Sequence, residues 1–385
     1  MKKIKTVDDY IKAAMSPYKC GKGKYIDDVT GHIFFRGQTK TFKESDLSAS
    51  IYRQQQPESY YLHEFLKRFP DKFNKDMTNY TKLTLMQHIG VPTRLLDITI
   101  KPLVALYFAV EDCNRESDGI VWRFHQNVPK RFFDQRKSIY PDYLRFFSYK
   151  PYDSDILEFL ATMAFQKDAT RSNFYNEVTK LQKTTKEIDE KYGVNYYYLL
   201  TYLSGAMGNP LDSYDHELAC IVQNHSKSKD IIKELMSAYK QFTLSPGFKS
   251  ILHAVKKDIN DFETRINILD LVGPYIAEPA ITNSRIREQG GYFLFTTPIL
   301  KMYQPVSDIR SFSEMERILF MDDNKITIDR NFKAVIKKHL DLIYGINKST
   351  LFPDMYSTAE YLKDDNPFDD DRVYPIVTKV RREYY

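Results

Sequence analysis

With 385 residues, 42% hydrophobic and 28% charged, the chain is long enough for more than one core and ordinary in composition for a globular protein. A formal charge of +5 tolerates a polyanionic partner but falls well short of the basic excess that alone argues nucleic-acid binding. Cys20, Cys113 and Cys220 lack any short spacing and the eight histidines form no HxxxH or HxH pair, which argues against a disulfide framework, a zinc ribbon and any other metal site.

From the start, "MKKIKTVDDYIKAAM" has no apolar run of the kind a secretory signal needs, and its spacing predicts a capped helix over residues 6–15. No window reaches the length of a membrane span, so a soluble, cytoplasmic protein without membrane contact is expected. A strand follows in "YIDDVTGHIFFRG", then a polar helical stretch in "SYYLHEFLKRFPDKF". "TKLTLMQHIG" reads as a helix that stops at Gly90, with Pro92 forbidding its continuation. "PTRLLDIT" has the short apolar run of a buried strand, and Pro102 then opens a helix, "PLVALYFAVEDC", apolar nearly all round and therefore buried. A turn and a strand, Ile120 to Phe124, close this first part.

The middle changes character. "SDILEFLATMAFQKD", "NFYNEVTKLQKTTKEIDEKY" and "SKDIIKELMSAYKQF" carry helical spacing and are separated by "SGAMGNPLDS" and "LSPGFKS" breaks. Extended segments return in "RINILDLVGPYIAEPAI" and "REQGGYFLFTTPIL". A helix in "RNFKAVIKKHLDLIYGI", a short piece "TLFPDMYSTAEYLKD", an acidic linker and a docked tail complete the chain. The expected architecture is α+β: a mixed-sheet core over 1–140 and 266–363, a helical insertion over 141–265, and a linker and tail over 364–385.

No GxGxxG, P-loop, GxSxG or HExxH pattern occurs. Four blocks carry a different signal. "FFRG" at 34–37, "MQHIGVPTRLLDITIKPLVALYFA" at 86–109, "REQGGYF" at 287–293 and "TLFPDMYSTAEYL" at 350–362 together resemble the FRG-domain family of bacteria and their viruses. One departure is visible, since Ile98 stands where that family usually has Trp. A weaker resemblance links the aromatic-Arg-Gly strand end and the "PTRLLDIT…ALYFA" element to ADP-ribosyltransferases of the Arg–Ser–Glu type.

That second resemblance implies an ADP-ribosyltransferase-like sheet and transfer of ADP-ribose from NAD, as substrate, to a protein or nucleic-acid acceptor. The setting would be a toxin or antiphage effector, with an antitoxin or phage protein as partner. Arg36 would bind the pyrophosphate or an adjoining ribose through its bidentate fork, and Gly37 would let backbone approach the ligand. Thr99 or Thr93 would orient the nicotinamide ribose. Glu288 or Gln289 would stand at the reacting ribose; read as neighbours in a strand, at most one faces the cleft, and Glu64 or Asp97 is the reserve carboxylate. Arg94 and Asp97 join Arg36 as candidates for binding NAD; against these stand structural roles: Arg36 paired with a carboxylate such as Asp97, Arg94 paired with Asp97 to stiffen a turn, and His88 capping a helix. The alternative function is a sensor that binds a nucleotide, nucleic acid or phage protein without chemistry.

Overall fold

The computed structural model describes residues 3–16, 18–20, 24–26, 32–42, 47–73, 77–113, 116–125, 149–206, 213–259, 262, 275–280, 284–296, 298–299, 307–308 and 325–364. Seven strands form the central sheet: β1 (Ile33–Gln38), β2 (Leu95–Thr99), β3 (Gly119–His125), β4 (Tyr149–Lys150), β5 (Tyr275–Ala277), β6 (Gly291–Phe295) and β7 (Lys325–Ile328). Their order is β7-β3-β1-β2-β6-β5-β4, antiparallel throughout except for the parallel edge pair β4–β5. The fold is α+β with a mixed sheet.

Period-two alternation assigns the two faces. Phe34, Leu96, Ile98, Trp122, Phe124, Ile276 and Leu294 share one core, roofed by Leu47, Ala49 and Ile51. The opposite face splits into two packings. Phe35 and Val121 lie under α1 (Val7–Ala14), α4 (Pro102–Val110) and α12 (Lys333–Tyr344). Leu95, Tyr275, Phe293 and Phe295 lie under α3 (Asn79–His88) and α5 (Asp155–Ala164). Between the first strands runs α2 (Glu58–Arg68).

Local signals explain the helix ends. Thr6 caps α1 by accepting from Asp9 N, 3.1 Å away. Thr78 caps α3, and Gly90 beyond its end sits at φ +82°, the left-handed conformation a stop requires. Helix α4 begins at Pro102 and buries six of its residues, as its all-round apolar sequence demands. Among the described residues the middle builds six helices: α5, α6 (Asp168–Tyr192), α7 (Tyr196–Ala206), α8 (Ser213–Gln223), α9 (Ser228–Leu244) and α10 (Pro246–Lys256). They enclose a core of their own around Phe159, Phe174, Leu235, Phe242 and Phe248. Ser245 serves as the break between α9 and α10 and caps the latter.

One expectation is overturned. "REQGG" is not the start of an extended run: α11 (Ser284–Gln289) is helical, and Gly290, at φ +54°, turns the chain into β6. A glycine able to take the left-handed conformation is a helix stop as well as a strand breaker, and here the stop wins. The C-terminal piece is two short helices, α13 (Lys348–Leu351) and α14 (Met355–Asp364), parted by Pro353. "RINILDLVG", the linker beyond Asp364 and the tail lie outside the described residues.

Candidate functional site

Strand β1 is zipped to β3 over six register pairs, and β2 to β6 over five. Between β1 and β2 a single pair, Phe35 with Thr99, joins the two halves of the sheet, and a cavity of about 200 Å³ opens beside it. Its walls come from β1, the end of α3, β2, α4, α11 and β6. Arg36, Gly37, His88, Asp97, Thr99, Arg285, Gln289 and Tyr292 all line it. Residues more than 250 positions apart in the chain thus meet at one concave place.

Arg36 fills the gap between the parting strands. Its Nη1 donates to the main-chain oxygen of Asp97 at 2.6 Å, the service a ladder N–H would give if β1 and β2 stayed paired. Its Nε is buried without a hydrogen-bond partner among the described residues. Burial pushes the Arg36 guanidinium below its ordinary range, the Asp97 carboxylate opposes that, and Arg53 adds repulsion. The pairing expected as the structural role of Arg36 is therefore made to the backbone of Asp97, and one edge of the guanidinium fork is left over.

Asp97 is exposed, and it is the one carboxylate among the described lining residues. Its Oδ2 accepts from Gln87 Nε2 at 2.8 Å. Gln87 is itself held, because Thr93 Oγ1 donates to Gln87 Oε1 at 2.6 Å and Leu95 N donates back to Thr93 Oγ1 at 3.1 Å. The spacing in "QHIGVPTRLLD" is thus a closed hydrogen-bond chain: Thr93 fixes which way the Gln87 amide points, and the amide fixes one oxygen of Asp97. Thr93 is fully buried and does not line the cleft, so its expected contact with ligand gives way to positioning.

Arg94 is likewise outside the cleft. It pairs with Glu58, not with Asp97: Nη2 lies 2.7 Å from Oε2, Nε reaches both carboxylate oxygens, and the Arg94 amide donates to Oε1 at 2.8 Å. Both side chains are almost fully buried, which is tolerable for two charges only with this many hydrogen bonds. Ser50 is also structural, since its hydroxyl accepts from Thr93 N at 3.1 Å.

Thr99 lines the cavity, yet its hydroxyl is committed. It donates to Gln289 O at 2.6 Å and accepts from Lys101 N at 2.9 Å, stitching α11 to the start of α4. Gln289 faces the cavity with its Nε2 donating to Leu351 O at 3.0 Å. Glu288 is exposed and outside the cavity lining. The carboxylate expected from "REQ" is therefore absent from the site, because in a helix the register turns Glu288 outward while Arg285 and Gln289, four apart, share the inward face. Gly37 also lines the cavity, but its need for glycine comes from α4: a Cβ there would lie 1.9 Å from Ala105 O.

Arg285 and Tyr292 are the lining residues that the sequence reading passed over. Arg285 lies over the Phe352 ring at 4.6 Å and donates to His88 O at 3.4 Å. Tyr292 packs edge-on against Phe34 at 5.1 Å, and burial, with Glu278 second, raises its hydroxyl pKa. His88 is held below its ordinary pKa by burial first and Arg285 second, against the pull of Asp97. Its ring belongs to the cleft, which helix capping alone does not account for. "TLFPDMY" contributes through Leu351 and Phe352, which brace Gln289 and Arg285.

No helix is long and apolar enough to cross a membrane, and no cluster of metal-ligating side chains occurs, both among the described residues. No curated protein and no solved structure matches the chain. The family model of the FRG domain matches residues 31–118, and this matched stretch supplies Arg36, His88, Asp97 and Thr99 to the cleft.

Proposed function

We propose that the cleft binds the nicotinamide end of NAD and that the protein is an ADP-ribosyltransferase-like enzyme with a macromolecular acceptor. The observation that carries this reading is the convergence of a half-paired Arg36, an oriented Asp97 carboxylate and the Tyr292 ring in one cavity between β1 and β2. A space of about 200 Å³ is below the roughly 300 Å³ at which pockets for drug-sized molecules begin, so it takes one end of a dinucleotide and leaves the rest outside.

Each residue type suits the chemistry. Breaking the bond between nicotinamide nitrogen and ribose C1′ sends the electron pair to nicotinamide and leaves an oxocarbenium-like ribose. Asp97 supplies the opposite charge for that centre, with Gln87 holding it at the correct angle. Arg36 keeps a buried Nε without a hydrogen-bond partner as a donor for a ligand oxyanion, and the half-buried Tyr292 supplies surface for a ring. The acceptor nucleophile then adds to C1′ and releases its proton.

The test is nicotinamide release from NAD by the whole chain, with and without protein and RNA acceptors, alongside binding by calorimetry. Asp97→Asn is expected to keep NAD binding within a few-fold and to lower release by roughly 100-fold or more, the scale seen on losing a group that stabilises transition-state charge. Binding of NAD without release by the unaltered protein would assign the cleft to sensing, the reading that the outward Glu288 favours. Absence of both binding and release would refute the proposal.

A further inference from the structure

The cleft holds more positive charge than the contacts within it use, and this identifies the part of the ligand that enters from the α11 side. Two buried arginines elsewhere are anchored by several short contacts each. Arg94 has Glu58, and Arg123 Nη1 donates to the main-chain oxygens of Ala13, Ala14 and Ser16. Arg285 differs: among the described residues no carboxylate lies within ion-pair distance of it, and its hydrogen bond is the long one to His88 O.

Its position is nevertheless fixed. The Arg285 guanidinium carbon sits over the Phe352 ring, 4.6 Å from its centroid, and Phe352 is itself held edge-on by Phe108 at 6.2 Å. A cation held over an aromatic ring loses little freedom when a ligand binds its remaining N–H donors. The same cavity contains Arg36, whose buried Nε lacks a partner, and His88, whose proton is discouraged by burial and by Arg285. Within the cavity lining the opposing charge is Asp97, with one oxygen already engaged by Gln87; Glu111 and Asp354, outside the lining, act on Arg285 only from beyond ion-pair distance. Two guanidinium forks and one half-engaged carboxylate in about 200 Å³ call for a ligand carrying more than one negative charge.

We propose that Arg285 is the second arm of a two-arginine clamp for a diphosphate, gripping it from the side opposite Arg36. The identification of the ligand as NAD rests on the function proposed above; the phosphate clamp does not. It makes the cleft selective for phosphorylated nucleotides over the corresponding nucleosides, and it gives "TLFPDMY" its task, which is to present Phe352 to Arg285.

Calorimetry on the full chain with NAD, ADP, inorganic pyrophosphate and nicotinamide riboside tests this. Arg285→Ala is expected to weaken ADP, pyrophosphate and NAD roughly 10- to 100-fold, the equivalent of losing charge-assisted hydrogen bonds, and to leave nicotinamide riboside unchanged. Arg285→Lys, which keeps the charge but not the fork, is expected to recover part of the loss and covers the case in which the alanine variant folds poorly. Arg287→Ala, an exposed neighbour on α11, controls for net charge and is expected to bind as the unaltered protein does. If ADP and pyrophosphate bind equally well without Arg285, the clamp is refuted while NAD binding can stand. If they bind through Arg285 but NAD does not bind, the clamp stands and the NAD reading falls. If no phosphate ligand binds the unaltered protein, both are refuted.

Discussion

Replacing Gly37 by alanine separates two explanations of the third letter of the "FRG" signature. If glycine is there for a ligand to approach, the alanine variant folds normally and loses binding. The structure gives another reason. An added Cβ would meet Ala105 O at 1.9 Å, Ala109 N at 2.8 Å and Phe108 Cβ at 2.9 Å, where comfortable contacts are roughly 3.5–4.0 Å. Two of the three obstacles are backbone atoms of α4, so no rotamer change relieves them. The helix would have to lift from β1 by more than an ångström.

It cannot lift freely. Gly119 of β3 meets the same helix from the adjacent strand, where a Cβ would lie 2.3 Å from Ala109 O, and Tyr10 OH holds Pro102 O at 2.8 Å at its start. Val104, Ala105, Leu106, Tyr107, Ala109 and Val110 are all buried, so a shift loosens the whole layer. Overpacking commonly costs about 1–3 kcal/mol; with backbone as the obstacle the top of that range or beyond, about 3–4 kcal/mol, is expected. Gly90→Ala is the calibration. Nothing lies within 4 Å of its Cβ position, and the φ of +82° alone costs about 1–2 kcal/mol. Trp122, the single tryptophan, is fully buried in β3, so its fluorescence during urea unfolding reports on this sheet. At an m-value of about 1–3 kcal/mol/M, Gly37→Ala should lower the midpoint by roughly 1 M or more, and Gly90→Ala by less. A Gly37→Ala midpoint within about 0.3 M of the unaltered protein, or a larger loss for Gly90→Ala, would refute the packing argument.

Glu58→Gln keeps the shape of the buried partner of Arg94 and removes its charge; the same Trp122 melt should show about 3–5 kcal/mol lost, and a loss below about 1 kcal/mol would show that Arg94 finds other compensation. His88 makes anion binding depend on pH. Its folded pKa lies below the ordinary 6.5, so its neutral form contributes stability that is present above 6.5 and is lost as pH falls through the lowered value. A bound phosphate beside the ring raises that pKa, so binding takes up a proton. ADP affinity should therefore increase as pH falls below about 6.5, and His88→Gln should flatten the dependence; an unchanged slope in calorimetry would show that the ring does not sense the ligand.

The sheet and its helices were legible where local chemistry and periodicity agreed. Pro102 with an apolar run gave a buried helix, and Gly90 with Pro92 gave a helix stop. The pairing of Arg36 with Asp97 was open as a structural alternative, but contact across 61 positions leaves no periodic trace in one sequence, so its form, a bond to the main-chain oxygen, was not legible. The error at "REQGG" had a specific cause. Six residues with one apolar member carry too little pattern to separate a helix from a strand, and the double glycine suits either. Read as a helix, the same letters place Arg285 beside Gln289 by simple four-residue spacing, so one wrong period hid both the missing glutamate and the additional arginine. The Arg94–Glu58 pair was hidden differently: Asp97 is closer in sequence, but β2 turns adjacent odd and even positions to opposite faces.

The helical middle acquires a role from the way α3 is held at its two ends. At its start, Glu158 of α5 accepts from Asn79 N and Tyr80 N at 2.8 Å each, and Thr78 takes the Thr81 amide, so the first three unpaired N–H groups of the helix are all answered. Asn79 Nδ2 also donates to Thr162 Oγ1 at 3.0 Å and to Asp258 Oδ2 at 2.6 Å, fastening the same turn to the residues after α10. Burial raises the Glu158 pKa, and the two backbone N–H groups oppose that rise, which is why a carboxylate can serve as a cap in this interior. About 15 Å further on, at the rise of one helix this long, α3 ends in Gln87, which orients Asp97, and His88, which walls the cleft. A second brace runs through Arg171 of α6, 4.0 Å from Glu58, behind the Arg94 that opens β2. No side chain from α5 to α10 lines the cleft among the described residues. The helical region therefore acts on the site from behind, by fixing the origin of α3 and the entry to β2, so that Gln87, which sets the Asp97 carboxylate, and His88, which walls the cleft, are positioned against a core that the cleft itself does not contain.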